Sequence, residues 1–226
     1  MGGSPFDPVF EQLPRELPVF PLTGVLLLPR GRLPLNIFEP RYLAMTSDAL
    51  GSGRMIGMVQ PQPGQPDERQ PDSQPSIYQT GCAGRITSFN ETDDGRFLIT
   101  LAGVARFRVA SELPVSRGYR RVVPDWTPFR ADLEPDQGEL PDRIRLVERL
   151  KPFFKLHGIS ADWETIEATP DERLVTTIAM ICPFEPSEKQ ALLEAPNLPE
   201  RARMLRALVE MATHEHGSDG ESPPRH

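Results

Sequence analysis

The first fifty residues alternate short apolar runs with prolines and glycines, a pattern typical of closely spaced strands and turns. Val25–Leu28 is an unbroken apolar run, too short for a buried helix and bounded by turn residues, so it predicts a core strand. Apolar and polar positions alternate over 33–37, which predicts a half-buried strand. Pro34 places that strand at a sheet edge or bulge, because proline cannot donate to a ladder. Pro40 suits the first turn of a helix, which we predict continues to Leu50.

The middle of the chain keeps the two-residue period of β-strands. Residues 85–89 and 97–101 flank a turn-forming cluster, which predicts a hairpin. Gly103 then predicts a bulge or corner from which the chain continues as another strand. With the opening runs and further strands at 55–59 and 119–123, the pattern predicts seven or eight short strands. Many short strands with glycine corners are typical of a strongly bent sheet or a small barrel.

Helical periodicity replaces the strand pattern after Trp126. Apolar positions three and four apart predict a helix over 142–157, kinked or broken at Pro152. Capping signals predict three more helices, which open at Thr169, Ser187 and Asn197. Four helices with short connections predict a compact bundle docked on the β-rich part, so the fold class is α+β.

These patterns also predict a domain organisation. The segment 61–75 is rich in proline and polar residues and cannot bury enough apolar surface to offset its ordering entropy. The predicted segments are a flexible arm at 1–14, a β-barrel subdomain at 15–130 with a mobile loop at 61–75, a helical subdomain at 131–213 and a disordered tail at 214–226.

Charge and composition narrow the class of protein. A net charge of −7 and a pI near 5.2 argue against general affinity for nucleic acid, which depends largely on neutralising phosphates. No apolar run approaches the roughly 20 residues that a membrane-spanning helix needs, and the amino terminus lacks a signal-peptide pattern. We therefore expect a cytoplasmic protein without membrane contact. Cys82 and Cys182 have neither disulfide-framework nor zinc spacing.

Two motifs near the amino terminus resemble a known family. Leu-Pro-Val-Phe-Pro-Leu at 17–22 is followed by Leu-Pro-Leu-Asn-Ile-Phe-Glu-Pro-Arg-Tyr at 33–42, and together they resemble the amino-terminal substrate-binding domain of the ATP-dependent Lon protease and its stand-alone relatives. Residues 81–86, 94–96 and 103–107 look like central strands of the same family. The resemblance runs from about Leu17 to Val209 and implies a PUA-like β pseudobarrel with one inserted helix, followed by a C-terminal helical bundle.

The sequence lacks the common motifs for bond-breaking chemistry. There is no Gly-Lys pair of a P-loop, no GxSxG and no HExxH. In the Lon family the ATPase and the Ser-Lys peptidase lie on separate, later domains, so the resemblance implies no catalytic residue, metal or cofactor here. Cysteine-dependent catalysis, with Cys182 near His157, is an alternative that requires an accessible, activated thiol.

The resemblance implies binding of unfolded or partly folded polypeptide segments, in association with a protease or with protein quality control. Each candidate has a structural alternative: the charged residues can form local ion pairs, and the aromatic residues can belong to the core. The candidates are Phe38, Glu39, Arg41, Tyr42, Arg85, Arg106, Trp126 and Phe184.

A second hypothesis is RNA or small-ligand binding through the PUA-like barrel. It requires a local basic surface despite the net acidity of the chain. The arginines that would form it are Arg85, Arg106, Arg108, Arg120 and Arg121.

Overall fold

The computed structural model describes residues 6, 8–63, 75–134, 140 and 142–218, with side chains up to residue 214. Within these ranges the chain forms six strands and six α-helices. The strands are β1 Leu17–Pro21, β2 Arg32–Ile37, β3 Met55–Val59, β4 Thr80–Glu91, β5 Phe97–Ser116 and β6 Tyr119–Asp125. The helices are α1 Pro40–Gly51, α2 Arg143–Leu156, α3 Trp163–Ala168, α4 Asp171–Ile181, α5 Pro186–Glu194 and α6 Leu198–Ser218.

Five strands close into a ring, and the sixth lies outside it. The ring order is β1, β3, β4, β5 and β6, closed by pairing of β6 with β1. The 20-residue β5 makes this arrangement possible: residues 97–102 pair with β2, whereas residues 108–116 pair with β6. The structure therefore confirms the α+β class, with a ring-like sheet, an inserted helix and C-terminal helices.

The prediction of a strand at Val25–Leu28 is wrong. Leu26, Leu27 and Leu28 are buried, but the run pairs with no strand among the described residues. Its backbone crosses the sheet at Gly103, where a Cβ atom would lie 2.0 Å from the Leu28 carbonyl oxygen. The run is buried by packing rather than by ladder pairing, which apolar periodicity alone cannot distinguish.

Gly103 produces the predicted bulge without ending the strand. Ala83 pairs with Ala105 and Gly84 pairs with Gly103, so Val104 has no opposite residue. The chain nevertheless continues as one strand to Ser116. The described chain therefore has six strands rather than seven or eight, because β5 is a single strand and the run before β2 is not a strand.

The inserted helix begins where the sequence predicts. Glu39 is the N-cap and Pro40 occupies the first turn of α1, where its missing N–H costs nothing. Tyr42, Met45 and Ala49 recur at helical spacing and are buried against the sheet. The helix thus anchors the chain that leaves β2 and leads it into β3.

The helical part begins and ends with correctly predicted helices. Pro152 lies inside α2 without ending it. At the start of α6, the Asn197 side chain accepts a hydrogen bond from the Glu200 N–H at 2.9 Å, which confirms the predicted cap.

Three details of the predicted helices differ. Ser187 does not cap α5, because the helix begins at Pro186 with Glu185 as its N-cap. The capping box at Thr169 is wrong, because the Thr169 hydroxyl donates backward to the Thr165 carbonyl and α4 begins at Asp171. The short helix α3 was not predicted. Asp162 caps it by accepting from the backbone N–H groups of Glu164 and Thr165.

Parts of the predicted domain organisation lie outside the described residues. These are residues 1–5 and 7 of the arm, 64–74 of the loop, 135–139 and 141 of the helical subdomain, and 219–226 of the tail. Phe10–Gln12, near the end of the arm, form a 3-10 turn, and Leu13 is buried. The predictions of flexibility stay predictions.

Two hydrophobic cores lie on the two faces of the sheet. Leu17, Val19 and Phe107 belong to the core enclosed by the ring, which Trp126 borders. Phe20 and the side chains of α1 belong to a larger core that continues through α2 and α4–α6. Strand side chains alternate between the two faces of the sheet. Those on the outer face of the ring therefore pack against the helices and form the larger core.

Candidate functional site

The segment that joins β2 to α1 presents three of the predicted residues at the surface. Phe38 is 64% exposed, so most of its ring is accessible to a ligand. Glu39 and Arg41 form an ion pair at 2.8 Å, and both side chains are nearly half exposed. The Arg41 guanidinium lies 4.6 Å from the centre of the Tyr42 ring. The segment thus combines an exposed aromatic ring with accessible donors and acceptors.

Tyr42 connects this segment to the core. The residue is buried, and its ring packs against Phe20 at a tilt of 36°, with centroids 4.1 Å apart. Tyr42 therefore anchors the segment and, together with Arg41, lines a cleft. The cleft has a volume of about 120 Å³ and is lined by Pro21, Arg41, Tyr42, Pro61, Pro75, Gly118, Tyr119 and Arg120.

The two phenols of this cleft remain neutral at physiological pH. Burial raises the pKa of Tyr42, an effect that the positive charge of Arg41 partly offsets. Burial also raises the pKa of Tyr119, and its hydrogen bond to Asp48 at 2.8 Å acts in the same direction. Both side chains therefore carry neutral O–H groups rather than phenolate anions.

Arg120 is held firmly in the wall of the cleft. Its guanidinium donates to both carboxylate oxygens of Glu112, at 2.6 and 3.1 Å, and to the Pro75 carbonyl at 2.7 Å. The more exposed Arg41 is consequently the cleft arginine that is better placed to change partner.

An apolar patch lies beside the same end of β2. Leu98 is 44% exposed and stands directly opposite Asn36. Phe97, the residue before it, packs its ring edge-on against Phe89 with centroids 4.9 Å apart. Phe38 follows Ile37, whose partner across the ladder is Phe97. Phe89 stands opposite Ile99 and therefore lies on the other face of the sheet from Leu98. We call Phe38 and Leu98 the apolar patch; it lies where β2 ends and β5 begins.

Arg106 does not belong to this surface. It is 4% exposed, and its guanidinium binds both carboxylate oxygens of Asp132, at 2.7 and 2.8 Å. It also donates to the carbonyls of Leu193 and Ala195 at 3.1 and 2.7 Å, at the carboxyl end of α5. Since its donors are used inside the protein, Arg106 joins the ring to the helices and cannot receive a polypeptide at the surface.

Trp126 and Phe184 are also buried, so we remove them from the candidate surface. The Trp126 indole packs on Phe107 and donates to the Pro14 carbonyl at 3.0 Å. Phe184 packs against Phe153 in the larger core. Arg85 is half-buried in β4, opposite Met55, and is not part of the segment that contains Phe38.

The thiols do not support the cysteine-dependent alternative. Cys82 and Cys182 are both buried. Burial raises the pKa of the Cys82 thiol well above its ordinary value and raises the pKa of Cys182 to about 12. Neutral, inaccessible thiols are poor nucleophiles. Among the described side chains, no group of three or more His, Cys, Asp or Glu residues could hold a metal ion.

The proposed basic surface is largely neutralised by carboxylates. Of the five arginines considered for RNA, Arg106 pairs with Asp132, Arg120 with Glu112 and Arg121 with Glu16. An arginine that already has a carboxylate partner offers little net charge to a phosphate. The arrangement weighs against the RNA hypothesis.

Sequence reasoning found the segment around Phe38 but missed most of the cleft. Tyr119, Arg120 and the prolines come together through strand pairing that is distant in sequence. The available signal was Arg117-Gly118, whose positive φ angles of 50° and 87° form the turn beside Arg41.

Comparison with known proteins gives this geometry a family context. Residues 16–210 match the model of the ATP-dependent protease La (LON) substrate-binding domain. The chain belongs to this family. In the part of the chain that the structure describes, no helix has the length and apolar character needed to cross a membrane.

The relatives identified by sequence are much longer proteins. Lon protease 2 of Myxococcus xanthus is 28% identical over 204 residues, which cover 88% of this chain and 24% of the relative. Lon protease 2 of Sorangium cellulosum is 26% identical over 200 residues, which cover 86% and 24%. The chain thus spans about a quarter of the length of these relatives.

Solved structures of similar extent share the fold. The Lon N-terminal domain protein from Xanthomonas campestris matches with a TM-score of 0.57 and 25% identity, covering 85% of this chain and 97% of that one. The N-terminal domain of the Mycobacterium avium complex Lon protease matches with a TM-score of 0.57 and 18% identity, covering 86% and 98%.

Proposed function

We propose that this chain is a non-catalytic module that binds unfolded or partly folded polypeptide segments, as an accessory to proteolysis or protein quality control. Membership in the Lon substrate-binding family supports the class of ligand. The surface formed by β2, the apolar patch and the Glu39–Arg41 pair supports the location. The observation that carries the proposal is the exposed Phe38 ring at the end of an edge strand.

The chemistry of this surface suits an extended polypeptide. The apolar patch offers contact area to client side chains, which folded proteins bury and unfolded proteins expose. An edge strand offers hydrogen-bonding groups to a client backbone, which is the same for every sequence. Together these features favour unfolded chains over folded ones without requiring a particular client sequence.

The Glu39–Arg41 pair adds polar contacts next to Phe38. Exposed ion pairs of this kind contribute little to stability, so either partner can exchange its bond for a new one at small cost. Arg41 can donate to a client carbonyl or carboxylate, and Glu39 can accept from a client N–H.

A fluorescence titration with a labelled, permanently unfolded polypeptide tests the proposal. Reduced and carboxymethylated lactalbumin is a suitable probe, and we expect saturable binding in the micromolar range. Replacing Phe38 by Ala should weaken binding about fivefold to thirtyfold, the loss expected for roughly 1–2 kcal/mol of apolar contact.

Ile144→Ala is the matched control, because Ile144 is 74% exposed and lies on α2, a different element. This variant should bind the probe as the wild-type chain does. Absence of saturable binding at high micromolar concentration would contradict the proposed function. Equal losses in both variants would contradict the location at Phe38.

A further inference from the structure

Backbone N–H and carbonyl groups of β2 point alternately toward β5 and away from the sheet. Hydrogen bonds of β5 show which residues point which way. The Thr100 carbonyl accepts a hydrogen bond from the Thr87 hydroxyl of β4 at 3.1 Å, so Thr100 faces β4. Gly103 instead exchanges hydrogen bonds with the other side, donating to the Gly31 carbonyl and accepting from the Arg30 N–H, both at 2.8 Å. Backbone groups alternate along a strand, so the odd-numbered residues of β5 from 97 to 103 face β2.

The residue pairs between β2 and β5 show which residues of β2 bond to β5. Leu33, Leu35 and Ile37 stand opposite Leu101, Ile99 and Phe97, so they bond to β5. The outward-facing residues are therefore Arg32, Pro34 and Asn36, all with exposed side chains. Among the described residues no strand pairs with this edge, and no backbone hydrogen bond of a turn or loop reaches it.

This edge has one gap in its donors. Arg32 and Asn36 each present an N–H and a carbonyl, whereas Pro34 presents a carbonyl alone. An added antiparallel strand that covers all three residues would form five of six ladder bonds. Exposed edges of this kind are templates for a further strand, which most proteins block.

The gap affects self-pairing more than pairing with a client. Two copies of β2 joined antiparallel contain two prolines, so two ladder bonds are lost in every register that includes both. A client strand without proline loses one. Pro34 thus disfavours association of two copies while leaving most of the edge usable by an unrelated chain.

We propose that the outward edge of β2 receives an extended segment of a client polypeptide as an added strand, and that Pro34 selects against pairing between copies of this chain. The proposal rests on the proposed polypeptide-binding function and specifies its binding mode. The apolar patch at the end of β2 would then contact side chains of the added strand.

Hydrogen exchange of individual backbone amides, followed by NMR, tests the mode directly. The Arg32 and Asn36 amides should exchange rapidly in the free protein and at least about tenfold more slowly with saturating carboxymethylated lactalbumin, because strand addition gives each an acceptor. Leu33 and Leu35 are internal controls, since their amides already bond to β5 and should change little.

Pro34→Ala provides a second, independent measurement. Restoring the missing N–H adds one ladder bond, so affinity for the unfolded probe should rise about twofold to tenfold. Sedimentation of the variant alone should also show a dimer that the wild-type chain lacks at the same concentration. Pro114→Ala, at an exposed strand proline remote from β2, is the matched control and should change neither quantity.

The outcomes separate the binding mode from the function. Saturable binding with unchanged exchange at Arg32 and Asn36, and no gain in Pro34→Ala, would overturn strand addition while leaving polypeptide binding intact. A dimer of Pro34→Ala without tighter probe binding would show that the edge pairs with copies of itself rather than with clients. Absence of probe binding by the wild-type chain would overturn both proposals.

Discussion

The two halves of β5 illustrate two uses of one strand. Around Arg106 the strand lies in the closed ring, its side chains are buried, and its neighbours include the carboxyl end of α5. Around Leu98 the same strand borders β2, whose outer edge has no partner strand among the described residues. Closure of the ring satisfies the backbone groups of its strands and stabilises the fold. The strand outside the ring, β2, leaves backbone groups free to bond to another chain. Substitutions in the ring should therefore affect folding, and those beside β2 should affect binding.

The largest expected effect is at the joint between ring and helices. Arg106→Leu leaves the buried Asp132 carboxylate without its partner, which should lower the free energy of unfolding by about 3–5 kcal/mol. Urea denaturation measures this loss. Arg106→Leu combined with Asp132→Asn removes the unpaired charge and should recover part of it. If Arg106→Leu alone had the wild-type free energy of unfolding, the contact between Arg106 and Asp132 would not stabilise the fold.

The next effect concerns the crossing at Gly103. Gly103→Ala forces a methyl group toward the Leu28 carbonyl and should cost about 1–3 kcal/mol. Gly51→Ala is the control, because nothing lies within 4 Å of its added Cβ in the last turn of α1. The control should be neutral or stabilising by up to about 1 kcal/mol. Thermal unfolding of both variants distinguishes crowding from loss of backbone freedom.

Alkaline pH should weaken the interior without a mutation. The folded-state pKa of Cys182 is raised from 9.0 to about 12 by burial, so the folded protein holds a proton that the unfolded chain releases. Its contribution to stability is complete below pH 9 and is lost as the pH rises toward 12. Cys82 acts in the same direction. Stability measured from pH 8 to 10.5 should fall, and less steeply in Cys182→Ala.

The smallest effect on stability should be at Arg41. Its ion pair with Glu39 is nearly half exposed, so Arg41→Ala should change the free energy of unfolding by less than about 1 kcal/mol. The same variant should weaken binding of the unfolded probe about threefold, because the client loses a donor beside Phe38. A large loss of stability without loss of binding would show that Arg41 supports the fold and does not contact the polypeptide.

Local signals predicted most elements of the fold because they depend on neighbours in sequence. The alternation before Ile37, proline at the start of α1 and the cap at Asn197 each act within a few residues. The run at Val25–Leu28 was mistaken for a strand because its burial depends on a distant glycine. Long-range packing, not local preference, decided that segment.

The candidate site was predictable to a smaller extent for a related reason. Alternation along β5 shows that Arg106 and Arg108 share a face, but not which of them α5 covers. Aromatic residues near the junction, such as Trp126, could equally be core or surface before the cores were known. The sequence did not separate Phe38 from them either, and its exposure became evident only from the structure.

The bonds from Arg106 to the end of α5 also limit how the chain can be divided. Arg201 donates to the Leu192 carbonyl at 2.9 Å, so two guanidinium groups from distant segments bind one helix terminus. A fragment that stopped near residue 130 would keep Arg106 yet lack Asp132 and every carbonyl that it binds. Truncation at that boundary should yield a poorly folded barrel. Binding experiments should therefore use the full chain.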